Sequence, residues 1–223
     1  MPLTHEQQED LRRAIAGYSF PPQYYDFQAG RPLRLQTTRM VESRIKEGLV
    51  IGESELVKNA LSNVLYWGFS QMGFRDKRVK RFRDNVTEKN LVEAARLFRV
   101  NVPPSLLEIK KIALPQFSGM SFVSKIRMFL DPENSATLDF QIMKIHKANP
   151  HTVLSNVSVH KDATQISITK KNSDAYESWC RKMRDISARY FDQGFRAVDI
   201  ERGFFQLVQE GKASLAGEIL KAS

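Results

Sequence analysis

Apolar residues recur at helical spacing along most of this chain, and that pattern constrains the fold most strongly. The clearest case is SELVKNALSNVLYWGF at residues 54–69. Its apolar positions stand at i, i+1, i+4, i+5, i+8 and i+9, and they are Leu56, Val57, Ala60, Leu61, Val64 and Leu65. This spacing places them on one face of an α-helix. The sequence therefore predicts a mostly α protein.

Helix start signals support this fold class. Thr4 with Gln7, and Ser105 with Glu108, have the spacing of capping boxes, in which two side chains satisfy backbone N–H groups at a helix start. They predict helices that run to Ile15 and over 106–113. Two further helices are expected at about 174–191 and 196–209, closing the chain.

One segment departs from the helical period. VLSNVSVH and QISITKK alternate apolar and polar residues over short spans, which predicts a small β-hairpin or an irregular excursion near 153–169. FPPQYYDFQAGRP reads as an aromatic loop, so that residues 1–35 are partly loop. Because no internal repeat or long linker is present, residues 1–223 are expected to form a single, two-lobed helical domain.

Composition narrows the class of protein. The 223 residues include 34 Lys and Arg against 25 acidic residues, a net charge of +9, which favours a polyanionic partner such as DNA. Cys180 is the single cysteine, so an internal disulfide is excluded and a reducing, cytoplasmic location is expected, near the nucleoid in a bacterial cell. The four His residues lack ligand spacing, so no metal is expected, and no other cofactor is expected either. No run approaches the roughly 18 apolar residues that would span a bilayer, so no membrane partner is expected.

The densest charge is RDKRVKRFR, with six basic residues in nine. The DNA-phosphate contacts predicted from this run are Arg75, Lys77, Arg78, Lys80, Arg81 and Arg83. A solvated helix face is the alternative. Trp67, Phe69 and Phe74 flank the run and are candidates to stack on a base or to wedge the duplex, unless they lie in the core. Phe117 is a second candidate for base stacking beside Trp67.

Residues 114–121, LPQFSGMS, join two predicted short helices. Gly119 is expected to take a left-handed conformation there, and the N–H groups at the next helix start would form an anion site. Hairpins of this kind bind a DNA phosphate without reading sequence. A plain helical hairpin with no DNA contact is the alternative.

The stretch LPQFSGMSFVSKIRMFLDPENSATLDFQI, residues 114–142, resembles the helix-hairpin-helix DNA glycosylases, in particular the 8-oxoguanine DNA glycosylase-like branch. That family has a Leu-Pro-Gly-Val-Gly hairpin, a catalytic Lys in the following helix and a catalytic Asp before the next. The resemblance is closest over residues 105–146 and implies a helix-hairpin-helix motif at about 106–130. Gly119, Met120 and Ser121 stand at its phosphate-binding positions.

The resemblance also implies catalytic roles for Lys125 and Asp139. An ungapped match places Val123 at the Lys position, and a two-residue insertion in the hairpin aligns Lys125 instead. The implied function is base-excision repair of double-stranded DNA. A damaged, oxidised purine would be flipped out and removed by a glycosyl hydrolase, with or without strand cleavage.

Each of these two residues has an alternative role. Lys125 would otherwise be a solvated helix residue or a phosphate contact, and Asp139 an N-cap for the FQIMKI helix. The protein would then be a non-catalytic helix-hairpin-helix DNA-binding module. A helical protein-interaction domain with a basic surface is the third possibility.

Overall fold

The computed structural model describes residues 2–99 and 101–223, and these residues form two compact units. The central unit is Phe20–Asp131, and the terminal unit combines the residues up to Ser19 with Pro132–Ser223. Both are mainly helical, so the predicted mostly α class is confirmed, and the structure also contains one small β-hairpin. That all 223 residues make a single domain stays a prediction.

The elements in chain order are α1 (His5–Ala16), β1 (Gln23–Asp26), β2 (Arg31–Arg34), α2 (Thr38–Val50), α3 (Ser54–Gly68), α4 (Arg75–Asn85), α5 (Glu88–Phe98), α6 (Leu106–Lys111), α7 (Met120–Leu130), α8 (Met143–Ala148), a 3-10 helix (Val153–Asn156), α9 (Lys170–Tyr190), α10 (Ala197–Gln209) and α11 (Ala213–Ala222). Both predicted capping boxes are present, at Thr4 and at Ser105. Among the described residues, no helix combines the length and apolarity needed to cross a bilayer.

The core of the central unit is built around α3. Its apolar stripe is buried except for Leu56, which is half-buried, and the helix contacts α2, α4, α5, α7 and β1. Asn63, also on α3, fixes the β-hairpin, because its side chain accepts a hydrogen bond from Tyr25 N–H (2.7 Å) and donates one to Tyr25 C=O (3.0 Å). The antiparallel strands pair Gln23 with Arg34 and Asp26 with Arg31. The hairpin therefore lies in the segment read from sequence as a loop.

The expected β-hairpin near 153–169 is absent from that segment. Residues 153–156 form the 3-10 helix, and no strand follows up to α9. The buried side chain of Asn172 explains the difference, because it accepts from Ser158 N–H (2.8 Å) and donates to the carbonyls of Ser158 (2.9 Å) and Ser167 (2.8 Å). A side-chain amide thus supplies the hydrogen bonds that a partner strand would otherwise supply.

The core of the terminal unit is built around α9 and α10. Trp179 and Tyr176 on α9 are fully buried, and Trp179 Nε1–H donates to Thr137 C=O (3.0 Å). Gly203 on α10 lets α1 approach closely, since a Cβ there would lie 2.7 Å from Leu11 Cδ1. A third C-terminal helix, α11, follows the two that were expected.

Candidate functional site

The predicted helix-hairpin-helix region forms two helices, α6 and α7, joined by residues 112–119. The left-handed residues of this connection are Ala113 (φ 58°) and Gln116 (φ 69°). Gly119 is instead extended (φ −106°, ψ 160°) and is the N-cap of α7. The expectation of a left-handed Gly119 is therefore wrong. The chain has already reversed at Ala113 and Gln116 before it reaches the glycine.

The N-cap residue of α7, Gly119, has no side chain that could cap the helix, and the first turn of α7 contains no acidic residue. The first N–H groups of a helix lack intrahelical partners and attract anions. Gly119 and Ser121 are half-buried, whereas the Met120 side chain is fully buried. Met120 can therefore offer a phosphate only its backbone N–H.

Lys125 lies in the middle of α7 and is buried, with 8% of its surface exposed. Its amine is 3.4 Å from Ser121 C=O and 5.3 Å from the centroid of the Phe122 ring. Its stem lies against the end of α3, where a Cβ on Gly68 would be 3.3 Å from Lys125 Cδ. Lysine is rarely buried, because taking the amine out of water is costly. A solvated position for Lys125 is thus excluded.

The basic run RDKRVKRFR forms α4, and two of its six basic residues are turned onto the protein itself. Arg75 lies 3.9 Å over the Tyr66 ring, donates to Gln23 Oε1 (2.7 Å) and pairs with Asp76 (2.9 Å). Arg83 lies 4.2 Å over the Phe27 ring. It also donates to Asn59 (2.7 Å), Ser62 (3.1 Å) and Glu55 (3.3 Å). Arg75 and Arg83 therefore bind other parts of the central unit with the same guanidinium groups that were expected to contact DNA phosphates.

The other four basic residues of α4 are exposed: Lys77, Arg78, Lys80 and Arg81. Lys80 pairs with Asp84 (2.7 Å), while Lys77 and Arg81 make no side-chain hydrogen bond or ion pair with the described residues. Arg78 donates to Gln116 Oε1 (3.0 Å), which joins α4 to the hairpin connection. Lys77, Arg78 and Arg81 are therefore exposed cations without an acidic partner in the described chain, and Arg78 contacts the hairpin connection.

The aromatic candidates separate into core and surface residues. Trp67 and Phe117 are buried, Trp67 against Phe20 (4.7 Å) and Phe129 (5.3 Å), and Phe117 against Phe82 (5.6 Å). Their rings therefore fill the core of the central unit and present no free face to a base. Their burial therefore does not support the base-stacking role that was expected for Trp67 and Phe117.

The surface aromatic is Phe74, which is 45% exposed and lies in the loop between α3 and α4. Met72, in the same loop, is 49% exposed. The Arg78 guanidinium lies 5.5 Å over the Phe74 ring. Sequence reasoning singled out Phe74 but missed Met72, although the two flank Gly73 in a short segment between helices.

Beside α4 the central unit also contains a cavity of about 670 Å³. Its aromatic lining residues are Tyr25, Phe27 and Tyr66, and Arg75 and Arg83 are among its charged lining residues. Burial raises the pKa of Tyr66, and Arg75 opposes that rise. Sequence reasoning could not place this cavity, because β1 and α4 are distant in the chain.

Asp139 lies in the terminal unit, half-buried, where it closes a turn. Its Oδ1 accepts from Gln141 N–H (2.9 Å) and Ile142 N–H (3.3 Å), and its C=O accepts from Met143 N–H (3.0 Å). The helix α8 begins only at Met143, so Asp139 caps the turn that leads into it. The capping alternative for Asp139 therefore has a direct structural basis.

Tyr18 shares the surroundings of Asp139. Burial raises the pKa of the Tyr18 hydroxyl, Arg202 lowers it, and the negative charges of Glu201 and Asp139 raise it further. The Arg202 guanidinium lies 5.1 Å over the Tyr18 ring. Asp139 therefore stands in a charged environment built by α10 and the segment after α1, which no local motif predicts.

The predicted residues thus divide between the units. The hairpin, Lys125 and the basic helix α4 belong to the central unit, and Asp139 belongs to the terminal unit. That Lys125 and Asp139 act in one cleft stays a prediction. Comparisons of the sequence and of the fold match no protein-family model, no curated protein and no solved structure.

Proposed function

We propose that this chain is a DNA glycosylase of the helix-hairpin-helix type, which removes an oxidised purine from double-stranded DNA. The observation that carries the proposal is the buried amine of Lys125 in the helix that follows the hairpin. An amine that is held on a rigid helix and removed from bulk water is suited to act as a nucleophile. A cytoplasmic location, where such DNA would be found, follows from the proposal.

The surface around the hairpin supports DNA as the substrate. Lys77, Arg78 and Arg81 are exposed on α4, and the Arg78–Gln116 hydrogen bond joins that helix to the hairpin connection. A phosphate bound at the N-terminus of α7 would be stabilised by the helix dipole and by the positive charge of these cations. Each neutralised phosphate releases counterions, so the affinity would fall steeply with salt.

The loop between α3 and α4 supports distortion of the duplex. Met72 and Phe74 are apolar and exposed, and Arg78 stands over the Phe74 ring. Proteins that kink DNA insert apolar side chains of this kind between base steps. In the proposed complex these two side chains would enter the stack while the lesion is flipped out, which pays part of the unstacking cost.

The reaction would begin with attack by Lys125 Nζ on C1′ of the flipped nucleotide. The Nζ–C1′ bond forms as the C1′–N9 bond breaks, and the departing base takes up a proton while the amine loses one. The C1′–O4′ bond then opens as the nitrogen gives its remaining proton to O4′, which leaves a Schiff base between Nζ and C1′. Loss of the C2′ proton from this Schiff base would let the 3′ phosphate leave, which is the strand-cleavage branch. The carboxylate of Asp139 would stabilise positive charge on the sugar.

A non-catalytic DNA-binding module is the second candidate, and the two hydrogen bonds that Asp139 accepts in its turn favour it. A carboxylate that only caps a turn would have no catalytic role. In this case the hairpin and α4 would bind duplex DNA, and no base would be released.

Base release under single-turnover conditions separates the candidates. The substrate is a duplex that contains 8-oxoguanine, and the variants are Lys125→Gln, Asp139→Asn and the control Lys111→Gln, an exposed residue of the same hairpin. We expect Lys125→Gln to lose activity on the order of 10³-fold or more while Lys111→Gln retains it. Thermal unfolding of each variant checks that the fold is intact.

Three outcomes would contradict the proposal. Activity of Lys125→Gln equal to that of the control would remove the lysine from the mechanism. Tight duplex binding with no release of any oxidised, alkylated or deaminated base would establish the second candidate. If duplex affinity shows no salt dependence, both DNA proposals fail and a protein-interaction domain remains.

A further inference from the structure

A pocket of about 350 Å³ lies in the terminal unit, and none of the residues assigned above lines it. Its first wall is one face of α9, where Ser178, Arg181, Lys182 and Asp185 stand at i, i+3, i+4 and i+7. The other walls are the segment His151–Val153 and the end of α11 at Leu220 and Lys221. Residues with this spacing share one face of a helix, so α9 presents a polar stripe to the pocket.

The pocket has an excess of positive charge that the protein does not neutralise. Arg181, Lys182 and Lys221 line it, against the single carboxylate of Asp185. None of the three cations forms an ion pair with an acidic residue in the described part of the chain. Elsewhere on α9, by contrast, Lys170 pairs with Asp174 at 2.6 Å. Unpaired cations on adjoining walls of one pocket favour an anion between them.

Lys182 is the most enclosed of these cations. Burial lowers the pKa of its amine, the charge of Asp185 raises it, and Arg189 lowers it again. The amine has thus lost part of its hydration without gaining a carboxylate within ion-pair distance. An anion in the pocket would restore the lost stabilisation of the charged form.

The wall opposite α9 holds hydrogen-bonding groups. Thr152 is 7% exposed, and its hydroxyl has no hydrogen-bond partner among the described residues. A buried hydroxyl without a partner costs free energy, so an acceptor oxygen at this point would be favourable. Ser178, on the α9 side, donates its hydroxyl hydrogen to Asp174 C=O (3.1 Å).

We propose that the pocket lined by Thr152, Arg181, Lys182 and Lys221 binds a phosphate group. Several oxygens on a compact dianion would meet the guanidinium, the two amines and the Thr152 hydroxyl together, which a monovalent halide would not do. The phosphate is either that of a small phosphorylated molecule or a backbone phosphate of DNA. Binding at this pocket does not depend on base removal, so it is independent of the glycosylase proposal.

The first test uses inorganic phosphate as the probe and thermal unfolding of the full chain as the readout. A ligand of the folded state raises the unfolding temperature, so phosphate should raise it more than sodium chloride at equal ionic strength. We expect Arg181→Gln and Lys182→Gln each to weaken apparent phosphate affinity about tenfold, because each removes a charged hydrogen-bond donor. Lys171→Gln, an exposed residue on the same helix, is the matched control and should bind as the parent does.

A second variant, Thr152→Val, keeps the side-chain shape and removes the hydroxyl. Without phosphate this variant should be at least as stable as the parent, because no hydrogen bond is lost. Added phosphate should stabilise the variant less than it stabilises the parent. The proposal is overturned if phosphate stabilises the parent no more than chloride does. Equal phosphate stabilisation of the parent, Arg181→Gln and Lys182→Gln would overturn it as well.

Duplex DNA then identifies the source of the phosphate. If the pocket takes a backbone phosphate, Arg181→Gln lowers duplex affinity and reduces the slope of log affinity against log salt by about 0.9. If it takes a small phosphorylated molecule, duplex affinity is unchanged although phosphate binding is lost. Both results support a phosphate site, and loss of base release in Lys125→Gln remains a separate measurement.

Discussion

Substitution of Gly68 by alanine tests how Lys125 is held. Gly68 is the last residue of α3, and its missing side chain leaves room for α7. A Cβ at this position would lie 2.6 Å from Phe122 Cε1, 3.2 Å from Phe122 Cζ and 3.3 Å from Lys125 Cδ. Carbon atoms normally approach to about 3.5–4.0 Å, so the Phe122 ring would have to move by about 1 Å.

The expected cost follows from two opposing effects. Overpacking of this size destabilises by about 1–3 kcal/mol, whereas the greater helix propensity of alanine offsets at most about 1 kcal/mol. We therefore expect Gly68→Ala to lower the free energy of unfolding by about 1–2 kcal/mol. Because Lys125 Cδ would be 3.3 Å from the new Cβ, its stem should move by only a few tenths of an ångström, and base release should fall by less than the roughly 10²-fold that a 1 Å misplacement costs.

Urea unfolding and single-turnover base release measure the two effects. Gly73→Ala is the matched control, since a Cβ there would meet nothing within 4 Å. It should change stability by less than about 0.5 kcal/mol. Phe122→Leu in the Gly68→Ala background should recover part of the lost stability. If Gly68→Ala behaves like Gly73→Ala, α3 and α7 do not approach as described and the positioning argument fails.

Four further substitutions test other parts of the fold. Ala113→Gly should raise the free energy of unfolding by about 0.5–1 kcal/mol, because residue 113 has a left-handed backbone (φ 58°) that glycine adopts without strain. Ala188→Gly, inside the regular helix α9, should instead lower the free energy of unfolding by about 1 kcal/mol. Urea unfolding measures both changes. Trp179→Phe should cost about 1–3 kcal/mol in the same assay, because Thr137 C=O loses its buried donor. The hydrogen bonds from the Ser105 N–H and hydroxyl lower the pKa of Glu108 in the folded protein. The charged carboxylate therefore stabilises the fold at pH values above the pKa of the unfolded chain, near 4.5, and this contribution is lost as the pH falls through the lowered pKa. Stability of Glu108→Gln measured across that range should depend less on pH, and an unchanged slope would contradict the assignment.

Local signals predicted the helices well because each signal acts within a few residues. The Thr4 and Ser105 capping boxes, for example, join atoms three residues apart, and both form as the spacing predicts. The apolar stripe of α3 is equally local. Fold class and most helix positions could therefore be predicted from the sequence.

The β-hairpin could not be placed in this way, because distant side chains determine where strands form. Asn63 fixes Tyr25 from 38 residues away, while Asn172 satisfies backbone groups of the segment that was expected to pair. Alternation of apolar and polar residues is present at 153–169, but it carries no information on which partner satisfies the backbone.

The candidate site was predictable only in part, for a similar reason. The sequence singled out Lys125, Asp139 and the basic run, but not that Arg75 and Arg83 would be turned onto aromatic rings. Those rings belong to α3 and to the β1–β2 hairpin, and the cation–π contacts exist only after the chain has folded. Burial of Lys125 likewise depends on the absence of a side chain at Gly68.

Identification of the residue that reacts with the sugar tests the central claim most directly. The protein is incubated with duplex DNA that contains 8-oxoguanine, borohydride reduces any Schiff base, and peptide mass spectrometry locates the modified lysine. We predict a single adduct on Lys125. An adduct on another amine, or no adduct while the base is released at a normal rate, would contradict a nucleophilic role for Lys125.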